Sequence, residues 1–98
     1  MISTTIKAAI QSRELLSFSY DGFSRIVEPH TYGVDTKGNS ALRAYQVRGG
    51  SESGEYVGWK IFLIGNIRQL SATQQHFPGP RPQYKRSDSA FNSIYAQL

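Results

Sequence analysis

Tyr20-Asp21-Gly22-Phe23-Ser24-Arg25-Ile26-Val27-Glu28-Pro29 is the stretch whose reading decides the fold. Asp-Gly between two alternating runs marks a two-residue hairpin turn, because both central residues of such a turn need positive φ. That register sets Tyr20 opposite Phe23, Phe18 opposite Arg25 and Leu16 opposite Val27 on one side of the ribbon. Ser17 and Ser19 share the other side with Ser24, Ile26 and Glu28. Arg25 therefore falls in the middle of the apolar side. A guanidinium there must be paired, stacked on an aromatic ring or lining a pocket, since an unpaired buried charge is costly. It is the first candidate ligand contact.

Working outward, residues 4–13 predict a short helix, with Ser3 or Thr4 as cap and Ile6, Ala9 and Ile10 on one face. Residues 15–20 and 23–28 form the hairpin, and Pro29 is expected to end the second strand because it has no N–H to donate. A brief strand at 32–34, a turn at 35–39 and a strand over 41–47 follow. The strand puts Leu42, Ala44 and Gln46 on one side and Arg43, Tyr45 and Val47 on the other. Residues 48–58 predict a glycine- and serine-rich loop. Residues 59–64, apolar on both faces except at Lys60, read as a central strand, and Gly65-Asn66 breaks it before a further strand at 67–70. The proline-rich run 77–82 predicts an extended crossing of the surface. Phe91, Ile94, Tyr95 and Leu98, spaced i, i+3, i+4 and i+7 behind Ser87 or Asp88, predict a short C-terminal helix packed on the barrel or on a partner.

These elements define a mainly β (α+β) chain: a small, strongly bent antiparallel sheet or SH3-like or Sm-like barrel, with helices at both ends. Ninety-eight residues allow one core. The expected division is a barrel unit over 1–77 and an extended segment with helix over 78–98. The chain has no cysteine, so neither a disulfide nor a thiolate metal site is available. His30 and His76 lack any metal-ligand spacing, and no cofactor is expected. No apolar run approaches the length of a membrane span, and a cytoplasmic protein with no membrane contact is the expectation.

A formal charge of +4 leans towards an anionic partner. Arg25, Arg43 and Lys60 lie on predicted strands with Tyr45 and Trp59 beside them. Strand-borne cations hold geometry, and aromatic neighbours offer stacking platforms for bases. The structural alternatives are a carbonyl partner for the Trp59 N–H, a solvated face for Arg43 and a snorkelling stem for Lys60. Arg81, Lys85 and Arg86 around Tyr84 form a second basic cluster, suited to a phosphate backbone or to simple solvation. Glu28 and His30 could act as an acid–base pair, but a cation partner for Glu28 and a loop position for His30 are the favoured reading. No nucleophile, phosphate-loop or dinucleotide motif is present, so an enzyme is not expected.

The chain resembles the WYL domain, a small Sm-like or SH3-like barrel of bacterial transcriptional regulators and phage-defence proteins. The resemblance is carried by residues 6–10, by Phe18-Ser19-Tyr20-Asp21-Gly22 and Arg25-Ile26-Val27-Glu28-Pro29, then by Leu42-Arg43-Ala44-Tyr45, Lys60-Ile61-Phe62, Ile67 and Leu70. The family's naming triplet falls on Ser40-Ala41-Leu42, its second pocket arginine on Leu63, and the Asp-Arg before its isoleucine on Gly65-Asn66. The resemblance implies a regulatory module whose basic pocket binds nucleic acid or a nucleotide. Arg25 carries over directly, with Arg43, Tyr45 and Lys60 as neighbours. A protein-interaction module, docking on another protein or forming a homodimer, is the competing expectation.

Overall fold

A computed structural model describes residues 1–98. One helix, α1 (Ile2–Ser12), precedes six strands: β1 (Glu14–Tyr20), β2 (Phe23–Asp35), β3 (Ser40–Gly49), β4 (Gly58–Leu63), β5 (Arg68–His76) and β6 (Phe91–Gln97). A 3-10 turn at Ile64–Asn66 links β4 to β5. The strands form one antiparallel sheet in the order β4-β3-β2-β1-β5, with β6 joined to β2 outside that path. No helix is long and apolar enough to cross a membrane.

The hairpin forms in the register its turn dictates. Asp21 and Gly22 both have positive φ, at 53° and 80°, and Tyr20, Phe18 and Leu16 pair with Phe23, Arg25 and Val27. At the other end of β2, Asp35 Oδ1 accepts the N–H groups of Lys37 and Asn39, each at 2.9 Å, and so fixes the turn into β3. Alternation then carries Leu42, Ala44 and Phe62 to the same side as Leu16, Phe18 and Val27. Ile6, Ala9 and Ile10 of α1 close over them, and Ile67 completes this core. Phe62 is the largest fully buried side chain, set edge-on to Phe18 and Tyr20 at 4.9 and 5.0 Å. Met1 is the helix N-cap, and neither Ser3 nor Thr4 caps with its side chain.

Four expectations are corrected. The C-terminal segment is a strand, not a helix: β6 pairs with Thr31–Asp35 of β2. Beyond Val27, where β1 stops pairing, that edge of β2 would otherwise hold unpaired backbone groups, and so short a helix has little stability of its own to compete. Secondly, β2 continues through Pro29 for six more residues. Pro29 lies between the last residue paired with β1 and the first paired with β6, and the β3 ladder shifts register immediately after it. Thirdly, β4 is an end strand of the path, not a central one. Phe62 faces the core and Trp59 meets the segment that crosses the other face, while Ile61 is left exposed. Fourthly, the β3–β4 loop is shorter than expected, because β3 continues to Gly49. The mainly β, antiparallel expectation holds, with the strand path open at β4 and β5.

Gly33 lies where β6 crosses closest to β2. A Cβ there would overlap the Ser93 carbonyl oxygen and stand 2.9 Å from Ile94 Cα. Gly33→Ala is expected to lower stability by about 1–3 kcal/mol, the usual range for overpacking, read as a lower denaturant midpoint. An unchanged midpoint would contradict the tight β2–β6 approach.

Candidate functional site

The face of the sheet opposite α1 carries the polar chemistry. Glu28, Tyr45 and Trp59 lie in one cross-strand row, and Thr31, Arg43 and Ile61 in the next. His30 is the extra residue of the β2 bulge between these rows. Residues 77–90 cross this face as a strap. At its start, the Phe77 N–H donates to the Arg13 carbonyl at 2.9 Å, and the Arg13 guanidinium donates to the Pro78 carbonyl at 2.6 Å. Further along, Arg81 grips Glu28 with a two-pronged pair at 2.8 and 3.0 Å, while its guanidinium lies 4.4 Å from the centre of the Tyr45 ring. Trp59 Nε1 donates to the Pro82 carbonyl at 3.1 Å, and Arg43 Nε meets Asp88 at 3.0 Å.

His30 is the hub beneath the strap and is fully buried, not part of a loop. Its Nε2 accepts the Arg81 backbone N–H at 3.1 Å. That assigns the proton to Nδ1, which donates to the Glu28 carbonyl at 2.8 Å. The rings of Trp59, Tyr84 and Phe77 surround it at 4.7, 5.3 and 5.7 Å. Burial lowers its pKa below the ordinary 6.5, against the raising effects of the Glu28 carbonyl and carboxylate. The Glu28–His30 acid–base reading has no geometric basis. Glu28 is held by Arg81, as the favoured reading has it, and both imidazole nitrogens are committed.

Beside the strap, between it and Arg43 of β3, Trp59 of β4 and Thr36 of the β2–β3 turn, lies an open cleft of about 520 Å³. Arg43 and Lys85 supply its cations, Trp59 and Tyr84 its aromatic walls, and Asp88 its single acid. Arg43 is bound to Asp88 through Nε and carries no other hydrogen bond, which leaves both Nη groups free to donate. Asp88 also accepts the Ala90 N–H at 2.9 Å, which fixes the carboxylate against the rim.

The sequence-derived set is thus divided between two faces. Arg43, Tyr45 and Trp59 come together on the strap side; Arg43 and Trp59 line the cleft, while Tyr45 is taken by Arg81 and Trp59. Arg25 and Lys60 are on the α1 side. Arg25 is 3% exposed, donating to Gln46 Oε1 at 3.3 Å and the Tyr20 carbonyl at 3.1 Å. The rings of Tyr20, Phe62 and Phe23 lie 5.3, 5.5 and 5.8 Å from its guanidinium carbon. Lys60 donates to Ser51 Oγ at 3.2 Å and to the Glu55 carbonyl, which holds the β3–β4 loop. Tyr84, Lys85 and Asp88 complete the cleft, and sequence reading had placed them on a linker and a helix cap. The signal for them was the Arg81–Tyr84–Lys85 cluster, legible as basic and aromatic but not as part of the strand-borne site.

No group of three or more histidine, cysteine, aspartate or glutamate side chains is positioned to hold a metal. Comparison with family models, curated proteins and solved structures finds no match for the chain.

The His30 geometry has a pH signature. An unfolded chain protonates His30 near 6.5, whereas the folded chain resists protonation to a lower pH. The unfolded state then binds more protons, so stability falls as pH drops through this window. Denaturant midpoints for the native protein should decline over that range more steeply than those of His30→Asn. Parallel profiles would contradict the buried, neutral imidazole.

Proposed function

We propose that the chain is a non-catalytic binding module of the WYL-like small-barrel kind, taking an anionic ligand with an aromatic base, a nucleotide or a nucleic-acid strand, in the cleft beside the strap. The observation that carries this reading is the pairing of two cations, Arg43 and Lys85, with two aromatic walls, Trp59 and Tyr84, against one acid. A guanidinium with free Nη donors can take a phosphate in a bidentate grip, and an indole or phenol face can stack on a base. Asp88 then serves as a stand-in anion. It holds Arg43 at a partly exposed ion pair of the kind worth about 0–1 kcal/mol, so exchange for a phosphate costs little.

The barrel reading is supported by the strand order β4-β3-β2-β1-β5, by the 3-10 turn that leads from one end strand to the other, and by the Tyr20 hydroxyl, which accepts the Leu63 N–H at 3.1 Å across the gap. The position that the WYL pattern matches best, Arg25, is assigned a structural role, because its two Nη groups donate to Gln46 and Tyr20 and its Nε is buried without a partner. A non-catalytic role is supported by the site's titratable groups. Asp88 is paired with Arg43, Glu28 with Arg81, and His30 has no free nitrogen.

Trp59 is the sole tryptophan, so its emission reports directly on the cleft. Titration with nucleoside monophosphates and with short single-stranded oligonucleotides is expected to change it, with affinity falling as salt rises. Arg43→Ala and Lys85→Ala should each weaken binding roughly tenfold or more, in line with about 1.5–3 kcal/mol for a hydrogen bond to a charged group. Arg25→Met should leave affinity unchanged and lower stability instead. Emission that stays constant with every ligand, or affinity lost only on Arg25→Met, would refute this assignment.

A further inference from the structure

The open edge of β4 is unguarded. The Leu63 N–H is directed away from β3, to the Tyr20 hydroxyl. In an antiparallel strand, alternate residues send both backbone groups to the same side. Ile61 and Trp59 therefore direct their N–H and C=O groups outward as well. No backbone–backbone bond outside the sheet ladders involves residues 59–63, so the outward groups of Trp59 and Ile61 are open, while the Leu63 N–H stays with Tyr20.

The usual protections are missing here. Strand edges are normally blunted by proline, bulges or outward charges. β5, at the opposite end of the path, has positive φ at Gln69 and Gln74 and two register shifts against β1. β4 pairs with β3 without a shift and contains no proline. Its single charge, Lys60, is committed to Ser51 and Glu55. Ile61 is 42% exposed, and Tyr56 and Val57, just ahead of the strand, are exposed too.

We propose that β4 pairs antiparallel with β4 of a second copy of this chain, about a twofold axis at Ile61, and so joins two sheets into one. Self-pairing is favoured over another partner because the strand is complementary to itself in this register. Ile61 meets Ile61 of the second copy and exchanges both outward hydrogen bonds with it. Trp59 meets Leu63, and Lys60 meets Phe62, so no lysine faces a lysine. An axis one residue earlier would oppose the two Lys60 side chains. The twofold also brings the loop bearing Glu52 and Glu55 towards the end of the partner strand that leads into Arg68, opposite in charge. The pairing does not rest on what the cleft binds: Trp59 belongs to both, but the axis residue Ile61 does not line the cleft.

Sedimentation over a concentration series tests it, with the native 98-residue chain expected to rise from 11.0 kDa towards twice that mass. Ile61→Pro removes an outward donor and no bond within the sheet, so it should stay folded by circular dichroism while dimerisation weakens roughly tenfold or more. Should the proline variant fail to fold, Ile61→Lys sets two cations together at the axis and is expected to give the same loss. The chain has no cysteine, which allows a positional readout. A directly opposed pair has its Cα atoms about 5.5 Å apart, within reach of a disulfide. Ile61→Cys treated with diamide should cross-link rapidly, and Lys37→Cys, at an exposed turn, should not. A mass of 11.0 kDa at every concentration, a dimer that persists in the folded Ile61 variants, or equal cross-linking of the two cysteine variants would overturn the proposal. So would a stable monomer that captures a foreign strand peptide at this edge.

Discussion

The two edges of β2 must both be paired along thirteen residues, and this single requirement organises the molecule. β3 accompanies it on one side from Arg25 to Val34. On the other side, β1 reaches only to Val27, and the remainder is left for another strand. Unpaired N–H and C=O groups in a half-buried sheet are expensive, so the chain's last strand returns to fill the vacancy. That return has to start from the end of β5, and its route lies across the face opposite α1. The strap, the burial of His30 and the cleft are consequences of the route.

This order of causes explains what could be read from sequence. The hairpin was legible because its determinants are local: Asp21 and Gly22 fix the turn, and alternation fixes the rest. The faces of β3 were legible for the same reason, with Gln46 on the side of Leu42 and Ala44, where the fold buries it. The strand at 91–97 was not, since its apolar spacing fits a helix and the reason for a strand lies some sixty residues away, on the edge of β2. Trp59 was ambiguous in a related way. Its strand is apolar on both faces, but only Phe62 meets the core, Trp59 meets the strap and Ile61 is exposed, so apolar character does not imply a central position. His30 was missed because only a bulge beside a proline, with an arginine backbone N–H from the strap, makes a fully buried imidazole tenable there. Arg43 and Trp59 were singled out by residue type and strand position, and the fold sets both on one cleft, which Tyr84, Lys85 and Asp88 join only through the strap.

Arg25 shows how a charge is kept in an apolar layer without a carboxylate. Three aromatic rings present their π systems to it, and two neutral oxygens accept its protons. Gln46 then passes the connection on, donating to the Gly50 carbonyl at 3.0 Å. The hairpin tip, β3 and the β3–β4 loop are thereby joined through one guanidinium. Gly49 and Gly50 permit the close approach, as a Cβ at either would strike the Ser24 carbonyl or the Phe23 ring. Arg25 and Lys60 together shape the base of β4, whereas Arg43 and Lys85 face the opening on the other side.

The strap and β6 also set the order in which the chain can mature. As the polypeptide is made, α1 and the first five strands are complete before the residues that seal the distal half of β2 exist. Until then that half carries an open ladder and the underside of Tyr32, and the last step joins residues separated by most of the chain's length. Such distant pairings slow folding, because the loop must close before any contact rewards it. The same late closure threads residues 77–90 over His30, so the cleft is assembled only when the fold is finished. Chains folded only as far as β5 would therefore lack it.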